Sequence, residues 1–150
     1  MITPKEKIHT HYCQLVQDKI DAFRDMISAL TEDSKNDAKG SAGDKHETAL
    51  SMMHIEQEKL NYKLAEFLAQ KAVLDKIDFS IPHSKVALGS LVGTNHMLLY
   101  VCAALPKVTI DGKPVFAISP QSPLGSQLMG NEAGFSFEIN GTPYVIEKVQ

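Results

Sequence analysis

No stretch of this sequence approaches the roughly 18 consecutive apolar residues a helix needs to cross a bilayer. The opening MITPKEKIHTHY also lacks the apolar core of a signal peptide. A soluble, cytoplasmic protein with no membrane partner is expected. Cysteine is scarce. Cys13 and Cys102 have no metal-type spacing and no second pair beside them, which excludes a disulfide scaffold and reads as two reduced thiols. Basic charge is not in excess either. The net charge is −3 and the pI about 6.0, which argues against a free-standing nucleic-acid binder. It leaves open a partner that already holds nucleic acid. His9, His11, His54, His83 and His96 form neither an H-x-x-x-H nor an H-E-x-x-H pattern, so a zinc site is not expected. There is no Gly-rich cofactor loop and no recognisable nucleophile triad, and Cys102, in an apolar run, reads as a small buried hydrophobe.

What is present is a chain of 150 residues, 43% hydrophobic, with material for a core. Thr3-Pro4-Lys5-Glu6 is a helix start: Thr3 caps, Pro4 suits the first helical position and Glu6 completes a capping box. Ile8, Tyr12, Val16, Ile20, Phe23, Ile27 and Leu30 then recur at steps of three and four, and no Gly or Pro interrupts residues 5–35. A second stripe, Ala49, Met53, Leu60, Leu64, Phe67 and Leu74, follows, with Glu56 and Lys71 at seam-like positions. Two helices joined by a short loop fold back as an antiparallel pair. About 30 residues at ~1.5 Å rise make a rod of roughly 45 Å.

The period changes after Ser80-Ile81-Pro82-His83-Ser84, a linker. VALGSLV, HMLLYVCAAL, KPVFAIS, GFSFEIN and TPYVIEKV are rich in β-branched and aromatic residues and are separated by turn clusters. IDGK and INGT read as hairpin turns. In QSPLGSQLMG, Ser122 caps a short helix, Pro123 opens it and Gly130 closes it. The expected fold is α+β in two domains. Residues 1–78 form an antiparallel two-helix coiled coil with its tip at 34–47. Residues 79–150 form an antiparallel sheet of roughly four or five strands with one short helix.

Between the two helices stands KGSAGDKHETALSMM, with Asp44 and Glu47 three positions apart. Such a pair is what a helix N-terminus looks like, Asp44 capping and Glu47 favouring the macrodipole. It also puts two carboxylates on one face of the first turn. Asp33, Asp37 and Glu32 read as a solvated loop balanced by Lys35, Lys39 and Lys45, and His46 as an exposed residue on the turn. Met52 and Met53 read as seam packing.

The segment ISPQSPLGSQLMGNEAG, 118–134, resembles the C-terminal signature of the Gre-type bacterial transcript cleavage factors, and VALGSLV, 86–92, is similar to that family's opening strand. The helical hairpin matches the family's coiled coil in position, length and connection. The family's tip motif is Gly-Asp-x-x-Glu-Asn-Ala. Here Gly43, Asp44, Glu47 and Ala49 match, Thr48 stands at the Asn position, and Leu50 and Ser51 replace the family's acidic residue and aromatic. The resemblance implies an FKBP-like C-terminal domain, with no prolyl isomerase activity following from that fold. It implies a monomeric partner of RNA polymerase whose tip enters the secondary channel. There Asp44 and Glu47 would assist the polymerase's own Mg2+ in cleaving backtracked RNA. The protein itself would be no enzyme and hold no cofactor. It further implies that the C-terminal domain docks on the channel rim, with Ser119, Ser122, Pro123, Leu124 and Gly130 as the candidates. A regulator of the same shape that occupies the channel without stimulating cleavage is the alternative.

Overall fold

The computed structural model describes residues 2–40 and 44–150, with side chains described outside residues 34–47. Helix α1 runs Pro4–Gly40 and helix α2 Asp44–Asp75. Thr3 starts the first as its sequence predicts: its hydroxyl accepts from the Glu6 amide at 3.1 Å and its carbonyl from the Lys7 amide at 3.0 Å. The second helix stops well short of Pro82. The Lys76 and Ile77 amides bond carbonyls three residues back, tightening the last turn, and Asp78 then holds the Ser80 amide in an Asx turn.

The chain divides into two compact units, one of residues 14–71, the other of residues 1–13 and 72–150. In the first, α1 and α2 pack antiparallel. Phe23 meets Phe67 with ring centroids 5.3 Å apart, and further up α1 Thr31 accepts from Gln57 Nε2, further back on α2, at 3.1 Å. The seam on α2 differs from the expected one at a single position. Glu56 is exposed, and half-buried Gln57 takes its place in the series Met53, Gln57, Leu60, Leu64, Phe67, Lys71, Leu74. An amide there keeps a hydrogen bond that a carboxylate facing the Thr31 hydroxyl would make only at the expense of burying charge. Met53 lies in the seam, but Met52 does not and is 67% exposed.

The second unit holds a six-stranded sheet among its described residues, in the order β3-β4-β2-β1-β6-β5. Its strands are β1 Leu91–Thr94, β2 Leu98–Val101, β3 Val108–Ile110, β4 Lys113–Ile118, β5 Ser136–Ile139 and β6 Thr142–Val149. The expectation of a purely antiparallel sheet of fewer strands is corrected. β2 and β4 pair in parallel, Leu98 opposite Val115 and Val101 opposite Ile118. The cause is the connection after Val101: it carries β3 to the outside of the sheet, and the tight hairpin then returns β4 between β3 and β2. Both predicted hairpin turns form. Asp111-Gly112 and Asn140-Gly141 all have positive φ, as the two-residue turn matching strand twist requires.

Strand alternation sorts the sheet's two faces. Val92, Leu99, Val101, Phe137 and Ile146 join Val86 and Leu128, the latter from helix α3 (Pro123–Leu128), in one core cluster. On the opposite face the first turns of α1 supply Ile8 and Tyr12, both fully buried, and Tyr12 stacks on Tyr100 with centroids 6.4 Å apart.

Candidate functional site

Asp44 and Glu47 open α2; their side chains, with those of His46, Lys45, Lys39, Asp37 and Lys35, lie outside the described residues. Beyond them Thr48 is exposed and Leu50 half-buried. Met52, Ile55 and Tyr62 form an exposed apolar series on α2.

The segment from Ser119 to Gly130 is described in full, and its hydrogen bonds follow from the sequence Ser-Pro-Gln-Ser-Pro. Two prolines without N–H groups and two serines make a tight corner after β4. The Ser122 amide donates to the Ser119 carbonyl at 3.1 Å, and the Ser122 hydroxyl donates to the same oxygen at 2.7 Å. That hydroxyl also accepts from the Gly125 amide at 3.0 Å, the N-cap bond of α3. Pro123 occupies the first helical position and is exposed. At the other end the Gly130 amide bonds the Val86 carbonyl at 2.8 Å, and the Asn131 carbonyl accepts from Val86 at 2.9 Å, tying α3 to the segment before β1.

The Ser122 hydroxyl is thus committed on both its donor and acceptor sides. Ser119 Oγ is likewise held, donating to Gln121 Oε1 at 2.8 Å. Leu124 is half-buried and packs on the core cluster. What this corner presents to solvent is Gln121, Pro123, Ser126, Gln127, Met129 and the Gly130 backbone. Of the residues the sequence singles out, Pro123 and Gly130 stand on that surface, while Ser119, Ser122 and Leu124 shape it from behind.

Gly125 is the residue that sequence reading missed. A β-carbon there would lie 1.9 Å from the Ser119 carbonyl oxygen. The signal was available: a glycine inside a short helical pattern weakens the helix and stays where backbone must approach backbone.

A second polar group sits under α1. His9 is buried, and its Nδ1 is 2.7 Å from the Tyr100 hydroxyl, the two sharing one hydrogen bond. The Tyr12 hydroxyl donates to the Pro106 carbonyl at 2.8 Å. Burial lowers the His9 pKa, the Lys5 charge adds to this and Asp75 opposes it. Burial raises both tyrosine pKa values. These are properties of a packed polar core, not of an accessible acid and base. Cys102 is buried as expected, and its thiol is pushed up to about 12 by burial, so it carries no thiolate near neutral pH. Neither cysteine forms a disulfide. Among the described residues no three His, Cys, Asp or Glu side chains converge in a metal-binding group, and no helix is long and apolar enough to cross a membrane.

The fold is therefore two N-terminal helices packed together, followed by a small mixed sheet with one short helix. The chain matches no protein-family model, and no curated protein matches it significantly.

Proposed function

We propose that this protein is a transcription elongation factor of the Gre type. In this reading it binds RNA polymerase, inserts the end of its helical hairpin into the secondary channel, and stimulates Mg2+-dependent cleavage of backtracked RNA by the polymerase. The observation that carries the reading is where the chain reverses. α1 ends at Gly40 and α2 begins at Asp44, so Asp44 and Glu47 belong to the first turn of the second of two long helices. A pair of carboxylates at the point of a narrow two-helix structure is suited to reaching a site that a globular surface cannot enter.

Three further features support it. The hairpin seam keeps steps of four and three on both helices, Val16-Ile20-Phe23-Ile27-Leu30 and Met53-Gln57-Leu60-Leu64-Phe67, the spacing of an antiparallel coiled coil. The second unit, a six-stranded mixed sheet with one short helix on it, is compatible with an FKBP-like domain. The Ser-Pro corner there offers an exposed surface for the channel rim.

The donor set suits the chemistry. Mg2+ takes hard oxygen ligands and keeps several waters, so one or two added carboxylates complete a site whose main ligands belong to the polymerase. When bound there, a second Mg2+ stabilises the attacking and leaving oxygens of phosphodiester hydrolysis. Asp44 and Glu47 would help hold it and orient water. The protein is then not an enzyme on its own, and it acts in the cytoplasm as a monomer.

Thr48, Leu50 and Ser51 favour a second reading. They depart from the tip motif beside the two acids, where neighbouring side chains orient ligating carboxylates. A channel-binding regulator without cleavage stimulation would keep the same shape. Polymerase binding measured beside RNA cleavage, for the wild type and for Asp44→Ala and Glu47→Ala, separates the readings. The first requires binding with cleavage that either substitution removes. Binding without cleavage in all three supports the second, and loss of binding in both variants with the fold preserved contradicts the first.

A further inference from the structure

The face of the sheet beneath the first turns of α1 is not fully filled. A cavity of about 340 Å3 opens there, lined by Ile8 of the helix and Leu91, Leu98 and Ile110 of the sheet, with Lys113 and Lys148 also in its wall. Its volume sits at the small end of ligand pockets, which run from about 300 to 1,000 Å3. Gly93 stands beside two of the lining residues, Leu98 and Lys148. Gly93 lies on the same face as Leu91 and sends no side chain into the space between Leu98 and Lys148. A β-carbon built there would meet Leu98 Cδ2 at 3.7 Å and Lys148 Cβ at 3.8 Å, ordinary contact distances. The backbone at Gly93 lies outside the positive-φ region, so strand geometry does not demand glycine at this position.

The charge at the cavity has a sign. Asp111 is the one side-chain carboxylate in its lining, and it is already paired with Lys7 at 3.0 Å; Gln150, the last residue of the sequence, also lines it, and its main-chain oxygen accepts from Lys5 Nζ at 3.1 Å. Lys113 and Lys148 have no ion-pair partner among the described residues, and both are exposed enough to reach a bound group without being desolvated beforehand. An apolar pocket bordered by two uncommitted ammonium groups complements one kind of molecule, a short apolar body carrying an anionic head.

The geometry points to a binding site for a small organic anion of this kind, a medium-chain carboxylate in size and charge, with the apolar chain against Ile8, Leu91, Leu98 and Ile110 and the carboxylate at the lysine-bearing wall, on Lys113 or Lys148. The site belongs to the sheet-bearing unit alone and does not depend on the transcription reading.

Titration of the 15N-labelled full chain with sodium octanoate, followed by amide shifts, tests it. The expected result is saturable shifts centred on Leu91, Gly93, Leu98 and Ile110, with a dissociation constant of about 1 mM or tighter for about ten non-hydrogen atoms. Gly93→Val fills the space and should abolish binding. Lys113→Gln with Lys148→Gln changes only exposed side chains, keeps the fold, and should weaken octanoate at least about tenfold; it carries the test if Gly93→Val does not fold. Octanol should bind more weakly than octanoate. Shifts that do not saturate on this face, wild-type affinity in a folded Gly93→Val or in the double lysine variant, or equal affinity for octanol would each overturn the assignment.

Discussion

The carbonyl oxygen of Ser119 stands where a β-carbon on Gly125 would have to be, 1.9 Å away. That single crossing of backbone over backbone fixes the corner between β4 and α3, and everything exposed on the corner inherits its position.

Gly125→Ala should therefore be far more damaging than a helix position with alanine would suggest. Alanine is the better helix former by about 1 kcal/mol, yet here backbone must move to admit it. We expect a net loss of about 3 kcal/mol in urea unfolding. Gly130→Ala is the comparison: it has no neighbour within 4 Å of the added carbon, but its φ is +80°, so it should lose about 1 kcal/mol. A neutral Gly125→Ala would refute the crowding argument.

Ser122→Ala removes both the hydroxyl bond to the Ser119 carbonyl and the cap on the Gly125 amide. A loss of about 1–2 kcal/mol is expected, visible as a lower urea midpoint with unchanged slope. Because the hydroxyl is turned inward, Ser122→Thr should recover most of the stability, and any polymerase affinity lost with alanine should return with it. Persistent loss of affinity in a stable threonine variant would mean that Ser122 contacts the partner directly.

Stability should fall on mild acidification. Burial depresses the folded-state pKa of both His9 and His83. Where a histidine's folded pKa is lower than its unfolded value, near 6.5, the unfolded chain takes the proton first. Stability is thus full above about pH 6.5, declines as pH drops toward the depressed folded values, and levels off below them. His9→Asn should lower stability at pH 8 and flatten the decline between about pH 6.5 and 5. An unaltered slope in that variant would show that His9 does not carry it.

Much of this fold is legible from local pattern. The stripe from Ile8 to Leu30, the Thr3 and Ser122 caps, and the Asp-Gly and Asn-Gly turns each depend on residues within a few positions, and each forms. What is not legible depends on partners distant in sequence. The parallel pairing of Leu98 with Val115 needs the chain to place β3 outside β4, and no local signal distinguishes that from a plain meander. β3 itself is only Val108–Ile110, too short to show alternation. The choice of Gln57 over Glu56 in the hairpin seam turns on the phase of a helix whose apolar residues are not confined to one side, Met52, Ile55 and Tyr62 being exposed, and there a one-residue drift is easily missed. His9 offers no spacing motif at all; its role appears only when Tyr100, remote in sequence, arrives above it. For the candidate tip the sequence supplies the acids and the helix boundary puts Asp44 at the start of α2, while the resemblance alone supplies the polymerase.

The central claim is that GDKHE is the working end of the molecule, and a stalled, backtracked elongation complex of the host RNA polymerase tests it most directly. The protein is added with Mg2+, release of 3′ RNA fragments is followed, and Asp44→Ala/Glu47→Ala is run beside it. Fragments with the wild type, and none with a double variant that still binds the complex, are the predicted result. No fragments with either protein, while both bind, would contradict the cleavage role and leave the two carboxylates as the start of a helix.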